Sequence, residues 1–303
     1  MSEILLEVKG IKKSFDQNEV LKGIDMQIKK GEVHVILGEN GAGKSTLIKI
    51  LTGVYPKDAG EMYWEGKLVE PKNPADSINL GISTIYQELN NVQELKVYEN
   101  IFLGREKKRR GKYSFIDREY MRKEAIRCLE TLGQDGKALV DKTVGELGLG
   151  QQQLVEIAKA IALEAKLIIM DEPTSSLTNR EIEQLFKVVE LLKKQGISII
   201  FITHKLEEIQ QIGDRVTILR DGYFIKTLPV KTTDPDYWIE LMVGRTLEEK
   251  YPKKKFKIGK EGFRVENILV EGAAEPVSFS IRYGEIVGFS GLVGAGRTEL
   301  VRA

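Results

Sequence analysis

Four short runs in this chain are predominantly apolar and stop at residues with chemistry. Residues 33–37 lead into GENGAGKST, residues 82–86 end at Gln87, residues 167–170 end at Asp171 and Glu172, and residues 197–203 end at His204. A strand with one wet face alternates polar and apolar side chains, whereas a strand covered on both faces does not. The runs therefore predict buried strands of a parallel sheet in an α/β fold. Ligands in such sheets sit outside the carboxyl ends of the strands. The glycine loop, Gln87, Asp171, Glu172 and His204 are thus expected along one edge.

Helical patterns fill the intervals. Thr178 with Glu181 forms a capping box ahead of Ile182, Leu185, Phe186, Val189 and Leu192, and Gly196 is placed to stop that helix. Leu154, Ile157, Ala158, Ile161 and Ala162 mark a second amphipathic helix. Asp117 caps a third, with Met121, Ala125, Cys128, Leu129 and Leu132 on one face, which makes Cys128 a core residue. His34 lies inside a strand and reads as structural.

Residues 38–45, GENGAGKS, fit G-x-x-x-x-G-K-[ST] between a strand and a helical run. Glycines let backbone N–H groups wrap phosphate oxygens, and a helix N-terminus adds about half a positive charge. Gly38, Glu39, Asn40, Gly41, Ala42, Gly43, Lys44, Ser45 and Thr46 are the candidate phosphate cradle. Lys44 supplies a full charge near the β- and γ-phosphates, and the Ser45 hydroxyl suits Mg²⁺. Asp171 is the candidate metal residue and Glu172 the candidate polariser of an attacking water, with His204 and Gln87 supplying positioning and charge.

Composition narrows the class. An apolar fraction of 42% supports a globular chain, and a net charge of +1 gives no electrostatic footprint for nucleic acid or an acidic membrane. The single Cys128 cannot form an internal disulfide, and no run of 18 apolar residues is present. The start, MSEILLEVKG, lacks the features of a signal peptide.

Residues 23–50 align without a gap on residues 276–303 at an offset of 253, so that Gly38 recurs as Gly291. Ile28, Gly31, Glu32, Gly41, Ala42, Gly43 and Leu47 recur as Ile281, Gly284, Glu285, Gly294, Ala295, Gly296 and Leu300. A fixed offset means a duplicated unit. The expectation is a first domain at 1–246, an exposed lysine-rich linker at 247–262, and the truncated start of a second domain at 263–303. The basic stretch 107–112, KKRRGK, reads as a surface loop.

The order GENGAGKS, Gln87, LGLGQQQ at 147–153, LIIMDEP, SSLT and His204 resembles the ATP-binding subunits of ABC transporters. The resemblance covers the whole chain. GVYPKDAGEMYWEGK, YQELN, ENIFLGRE, QQQLVEIAKA, MDEPTSSLT and MVGR make it similar to the tandem subunit of bacterial importers for ribose, galactose or xylose. The resemblance implies an α/β P-loop NTPase with a parallel core sheet, an N-terminal antiparallel β-subdomain and a helical subdomain at about 88–163. It implies ATP and Mg²⁺ as cofactors, with Ser45, Gln87 and Asp171 toward the metal and Phe15 stacking on adenine. It implies permease subunits as partners near residues 88–105, a sugar-binding protein beyond them, no nucleic acid, and a location on the cytoplasmic face of the membrane. A soluble tandem ATPase acting on ribosomes or DNA shares the same motifs and is the alternative.

Two departures stand out. The family's signature appears here as Leu147, Gly148, Leu149, Gly150 and Gln151, with Gly148 where a serine is usual. The second glycine loop, with Gly291, Gly294, Gly296, Arg297 and Thr298, carries arginine where lysine is usual. The family's head-to-tail pairing implies that both departures fall on one composite site, expected to bind nucleotide and hydrolyse it poorly. Thr178 also stands where many relatives have aspartate.

Overall fold

The computed structural model describes residues 3–109, 115–244, 257–269, 275–291 and 295–303. The chain divides into two compact units, Met1–Thr246 and Leu247–Ala303.

In the first unit, β1 (Ile4–Phe15) and β2 (Asn18–Lys29) form a hairpin ahead of β3 (Val33–Leu37) and α1 (Lys44–Leu51). Then come β4 (Ala59–Trp64), β5 (Lys67–Val69), α2 (Pro74–Leu80) and β6 (Ile82–Ile85). Helices α3 (Val97–Ile101), α4 (Arg118–Thr131), α5 (Gly136–Leu139) and α6 (Leu149–Ala162) follow in succession. The unit closes with β7 (Leu167–Asp171), α7 (Asn179–Lys194), β8 (Ser198–Ile202), α8 (Leu206–Ile212), β9 (Arg215–Arg220), β10 (Tyr223–Pro229) and α9 (Pro235–Val243).

The core sheet has the order β10-β9-β3-β8-β7-β6, parallel except for β10. A separate antiparallel sheet has the order β2-β1-β4-β5. The core strands send alternate side chains to opposite faces. Val35, Ile168, Met170 and Phe201 pack with Leu154 and Ile157 of α6 and with Val189 of α7. Ile36, Ile169, Ile200 and Ile202 pack with Leu47 and Leu51 of α1 and with Leu6 and Ile24 of the antiparallel sheet. Both faces are covered, which is why these strands lack a polar alternation.

The predicted helix ends hold locally. Thr178 and Glu181 form the capping box of α7, Gly196 follows its end at φ 83°, and the Asp117 side chain accepts from Tyr120 N–H to start α4. Cys128 is fully buried on α4, and burial pushes its thiol up to about 11, so it is an inert core residue.

His34 is fully buried at the amino end of β3. Its ring meets Glu32 Oε1 at 3.2 Å and Thr217 Oγ1 at 2.7 Å, and Arg215 donates to both Glu32 oxygens. Burial alone would raise the Glu32 carboxyl, but the hydrogen bonds from His34 and Arg215 hold it down at about 2. Burial lowers the basicity of His34 by more than Glu32 raises it.

The second unit contains β11 (Glu261–Ile268) antiparallel to β12 (Val277–Arg282), followed by α10 (Arg297–Arg302). Glu261 and Gly262 therefore belong to a strand and not to the end of a linker, because Glu261 pairs across to Arg282. Residues 247–256 of the expected linker, and residues 245–246 before it, lie outside the described residues. In the basic stretch, the described residues 107–109 pair antiparallel with 115–117: Asp117 N–H donates to Lys107 O at 2.6 Å and Arg109 N–H to Phe115 O at 2.8 Å.

Residues 286–290, the repeat of β3, form no strand, and Ile286 is 88% exposed. In the first unit β3 is held between β8 and β9, whereas among the described residues of the second unit no strand pairs with its counterpart. The loop-to-helix step nevertheless recurs. Gly43 (φ 97°) opens α1 and Gly296 (φ 74°) opens α10, and a Cβ on Gly38 or Gly291 would stand 3.0 Å from the methyl of Ala42 or Ala295.

Both shifts in the buried network act against acid. The Glu32 contribution is present above its unfolded pKa near 4.5 and is lost as pH falls toward about 2. The His34 contribution is present above 6.5 and erodes as pH falls below that value. Thermal melts of His34→Gln should therefore lose less midpoint between pH 7 and pH 5 than melts of the parent. Arg215→Ala, which strands a buried carboxylate, should cost about 3–5 kcal/mol in denaturant unfolding at neutral pH.

Candidate functional site

Between β3 and α1 the chain makes a loop whose glycines have different reasons. A Cβ on Gly38 would stand 2.5 Å from Leu219 O, so β9 packs directly against the start of the loop. Gly43 has φ 97° and a Cβ there would stand 2.5 Å from Leu21 Cδ2. Helix α1 then opens with no side-chain cap and no acidic residue in its first turn. Its first intrahelical bond is Leu47 N–H to Gly43 O at 2.9 Å. The preceding N–H groups of Lys44, Ser45 and Thr46 thus face outward at the positive end of the helix, with no carboxylate competing for them.

Lys44 is buried, and its ammonium donates to Gly38 O at 2.8 Å and Glu39 O at 2.9 Å. Those bonds use two of its three donors. Burial lowers its pKa, while the charges of Glu172 and Asp171 pull the other way.

Asn40, Gly41, Gly43, Lys44, Ser45, Thr46, Gln87, Asp171 and Glu172 line one cavity of about 430 Å³, together with Val20 of β2. Gln87 follows β6, Asp171 ends β7, and His204 follows β8, so the polar residues come from the carboxyl ends of neighbouring strands. Glu172 has φ 45°, a left-handed conformation unusual for glutamate, and its N–H donates to Ile202 O at 3.1 Å. That turn brings its Oε1 to 3.2 Å from His204 Nδ1. Burial first, and the charge of Glu172 second, raise the Asp171 pKa. A hydroxyl, an amide oxygen and a carboxylate on one wall make a hard-oxygen set suited to Mg²⁺, and a cation there would relieve the crowding of Asp171 and Glu172. Among the described residues no group of three or more His, Cys, Asp or Glu side chains forms a metal site, so the remaining ligands would come from phosphate oxygens and water.

Other expected residues lie elsewhere. Phe15 does not line this cavity; its ring stands edge-on to Tyr55 with centroids 5.2 Å apart and is 38% exposed. Gly38, Glu39 and Ala42 build the loop without lining the cavity. Leu147, Gly148, Leu149, Gly150 and Gln151 sit at the head of α6, where Leu149 joins a second cavity of about 340 Å³ that shares Gln87 and also has Gln153, Ser175 and Ser176 on its wall. Gly291, Gly296, Arg297 and Thr298 belong to the second unit, where the Arg297 stem passes 3.7 Å from a Cβ placed on Gly291. Gly294 lies outside the described residues.

A strand–loop–helix cradle with an invading lysine, set beside an aspartate–glutamate pair at the end of β7, one strand removed from β3, defines a P-loop nucleotide-binding domain. A family model described as ABC transporter matches residues 21–175, and the chain belongs to that family. Among curated proteins it is 47% identical over 299 residues to the ribose import ATP-binding protein RbsA of Geobacillus kaustophilus, covering 99% of this chain and 60% of that protein. It is 48% identical to a protein of the same name from Clostridium tetani, covering 98% and 58%. The chain thus spans about 60% of the length of these relatives. Among solved structures, the ADP conformation of an ATP-binding cassette of an ABC transporter matches with TM-score 0.69 and 30% identity, covering 80% of this chain and 99% of that one. A nucleotide-free cassette matches with TM-score 0.68 and 29% identity, covering 80% and 95%.

Gly43→Ala tests the cradle, since it forces a Cβ into Leu21 and an L-residue into a left-handed turn. Its expected cost is about 1–3 kcal/mol in thermal or denaturant unfolding.

Proposed function

We propose that this chain binds Mg-ATP at the Lys44 cavity and hydrolyses it, as the motor of a membrane importer for a monosaccharide. The observation that carries the reading is the gathering of Lys44, Ser45, Gln87, Asp171 and Glu172 on one cavity above an uncapped helix start. The names of the relatives, ribose import ATP-binding proteins, support the sugar class. Separate permease subunits would pass the sugar, with a sugar-binding protein delivering it, a reading supported by the import named for the relatives.

The residues divide the work. The outward N–H groups of the α1 turn and the Lys44 ammonium hold the β- and γ-phosphates. Ser45, Gln87 and Asp171 would hold Mg²⁺, which would supply charge neutralisation at the phosphates. Glu172 accepts a hydrogen bond from the attacking water and orients it, and His204 steadies the Glu172 carboxylate from Oε1. Phe15 remains the proposed adenine contact, which requires its ring to leave Tyr55 for the base. Gly148 and Arg297 keep their proposed role at a composite second site that binds nucleotide and turns it over poorly.

Equilibrium titration with a fluorescent ATP analogue should show saturable, Mg²⁺-dependent binding. Lys44→Ala should weaken it at least tenfold, and no saturation at millimolar nucleotide would remove the assignment. Glu172→Gln should keep binding and lower steady-state turnover about 10²–10⁴-fold. Turnover surviving that change would show that Glu172 does not position the water.

A further inference from the structure

The head of α6 and the loop that caps α7 share one carboxylate. Glu181 Oε1 accepts from Gly150 N–H at 3.2 Å, while Oε2 accepts from Thr178 N–H at 2.9 Å and from the Thr178 hydroxyl at 2.7 Å. Thr178 Oγ1 in turn accepts from Glu181 N–H at 3.4 Å. The capping box is a common helix start, but its acid normally serves its own helix. Here it also satisfies an N–H in the first turn of a neighbouring helix of 14 residues. The fit is close: a Cβ on Gly150 would stand 2.8 Å from Glu181 Oε1 and 2.9 Å from its Cγ. A side chain at 150 would therefore displace the Glu181 carboxylate from its place on the Gly150 N–H.

The linkage continues toward the chemistry. Ser175 N–H donates to Glu172 O at 3.2 Å and Leu177 N–H to Thr174 O at 3.3 Å, which folds residues 172–178 into consecutive tight turns. Ser175, Ser176 and Leu177 face the same cavity wall as Leu149 and Gln87. A path of hydrogen bonds and short turns, joined by the backbone between Leu177 and Thr178, thus runs from Gly150 through Glu181 and Thr178 to Glu172. Coupling between sites needs such a physical connection between packed elements.

We propose that Glu181 is a positioning residue for the nucleotide chemistry: its carboxylate tethers the Gly148–Gly150 turn to the 175–178 loop, so that displacement of either one shifts Glu172. This rests on the ATP-hydrolysis reading above. Glutamine in its place replaces one of the two acceptor oxygens with an NH₂ donor, which would face either the Gly150 N–H or the Thr178 N–H, donor against donor. Alanine removes both bonds and relieves the crowding at Gly150.

Two measurements on the 303-residue chain decide it. The first is amide hydrogen exchange at Gly150, read by NMR and independent of catalysis. Thr178→Val withdraws the hydroxyl that holds Oε2 and should speed Gly150 exchange on the neighbouring helix about tenfold, the size expected for losing one charge-assisted bond. The same substitution should add nothing in a Glu181→Ala background. Unchanged Gly150 exchange in Thr178→Val, or an additive effect in the double variant, overturns the tether. The second is a split between binding and turnover. Glu181→Gln should lower turnover at saturating Mg-ATP about tenfold while the dissociation constant of the labelled analogue stays within about twofold. Equal turnover would leave Glu181 as a helix cap alone and overturn the positioning role. A parent chain that binds but never turns over refutes the hydrolysis reading instead, and the exchange measurement still decides the tether.

Discussion

The geometry of the site depends on β3 being paired on both edges and covered on both faces. It hydrogen-bonds β8 on one side and β9 on the other, and its side chains feed two separate cores. A strand so enclosed can meet a ligand only at its end. Because β6, β7 and β8 run parallel to it, their carboxyl ends meet the same edge, and Gln87, Asp171, Glu172 and His204 arrive there without long loops. The opposite end of β3 holds the Glu32–His34–Arg215 network, so the buried polar groups that answer to acid stand at the other end of the strand from the phosphate cradle.

Much of this was legible in the sequence because the signals were local. Predominantly apolar runs pointed to the enclosed strands, the G-x-x-x-x-G-K-S spacing to the cradle, and Thr178 with Glu181 to the start of α7. The gathering of Lys44, Gln87, Asp171 and Glu172 followed from one rule about parallel sheets. What stayed hidden was long-range or conformational. The left-handed backbone of Glu172 leaves no trace in residue type, and only the structure shows that it turns the carboxylate toward His204. The second bond of Glu181 was equally hidden, since a capping box predicts a partner three residues away and says nothing of Gly150. The edge-on contact of Phe15 with Tyr55 was hidden in the same way, because the two residues lie far apart in the sequence.

The internal repeat separates local from non-local determinants within a single chain. The glycine-to-helix turn forms in both copies, with a left-handed glycine at the helix start and an alanine methyl facing the first glycine each time. The preceding apolar run forms a strand only in the first unit, where β8 and β9 receive it. Turn chemistry is encoded within a few residues, whereas a buried strand depends on partners far along the chain.

Lys44 closes the phosphate loop on itself by donating to two carbonyls of the same loop. The side chain that offers charge to a phosphate also staples the loop that surrounds it. Ordering the cradle then belongs to folding rather than to recognition, and a nucleotide arrives at a rigid socket with little conformational entropy left to lose.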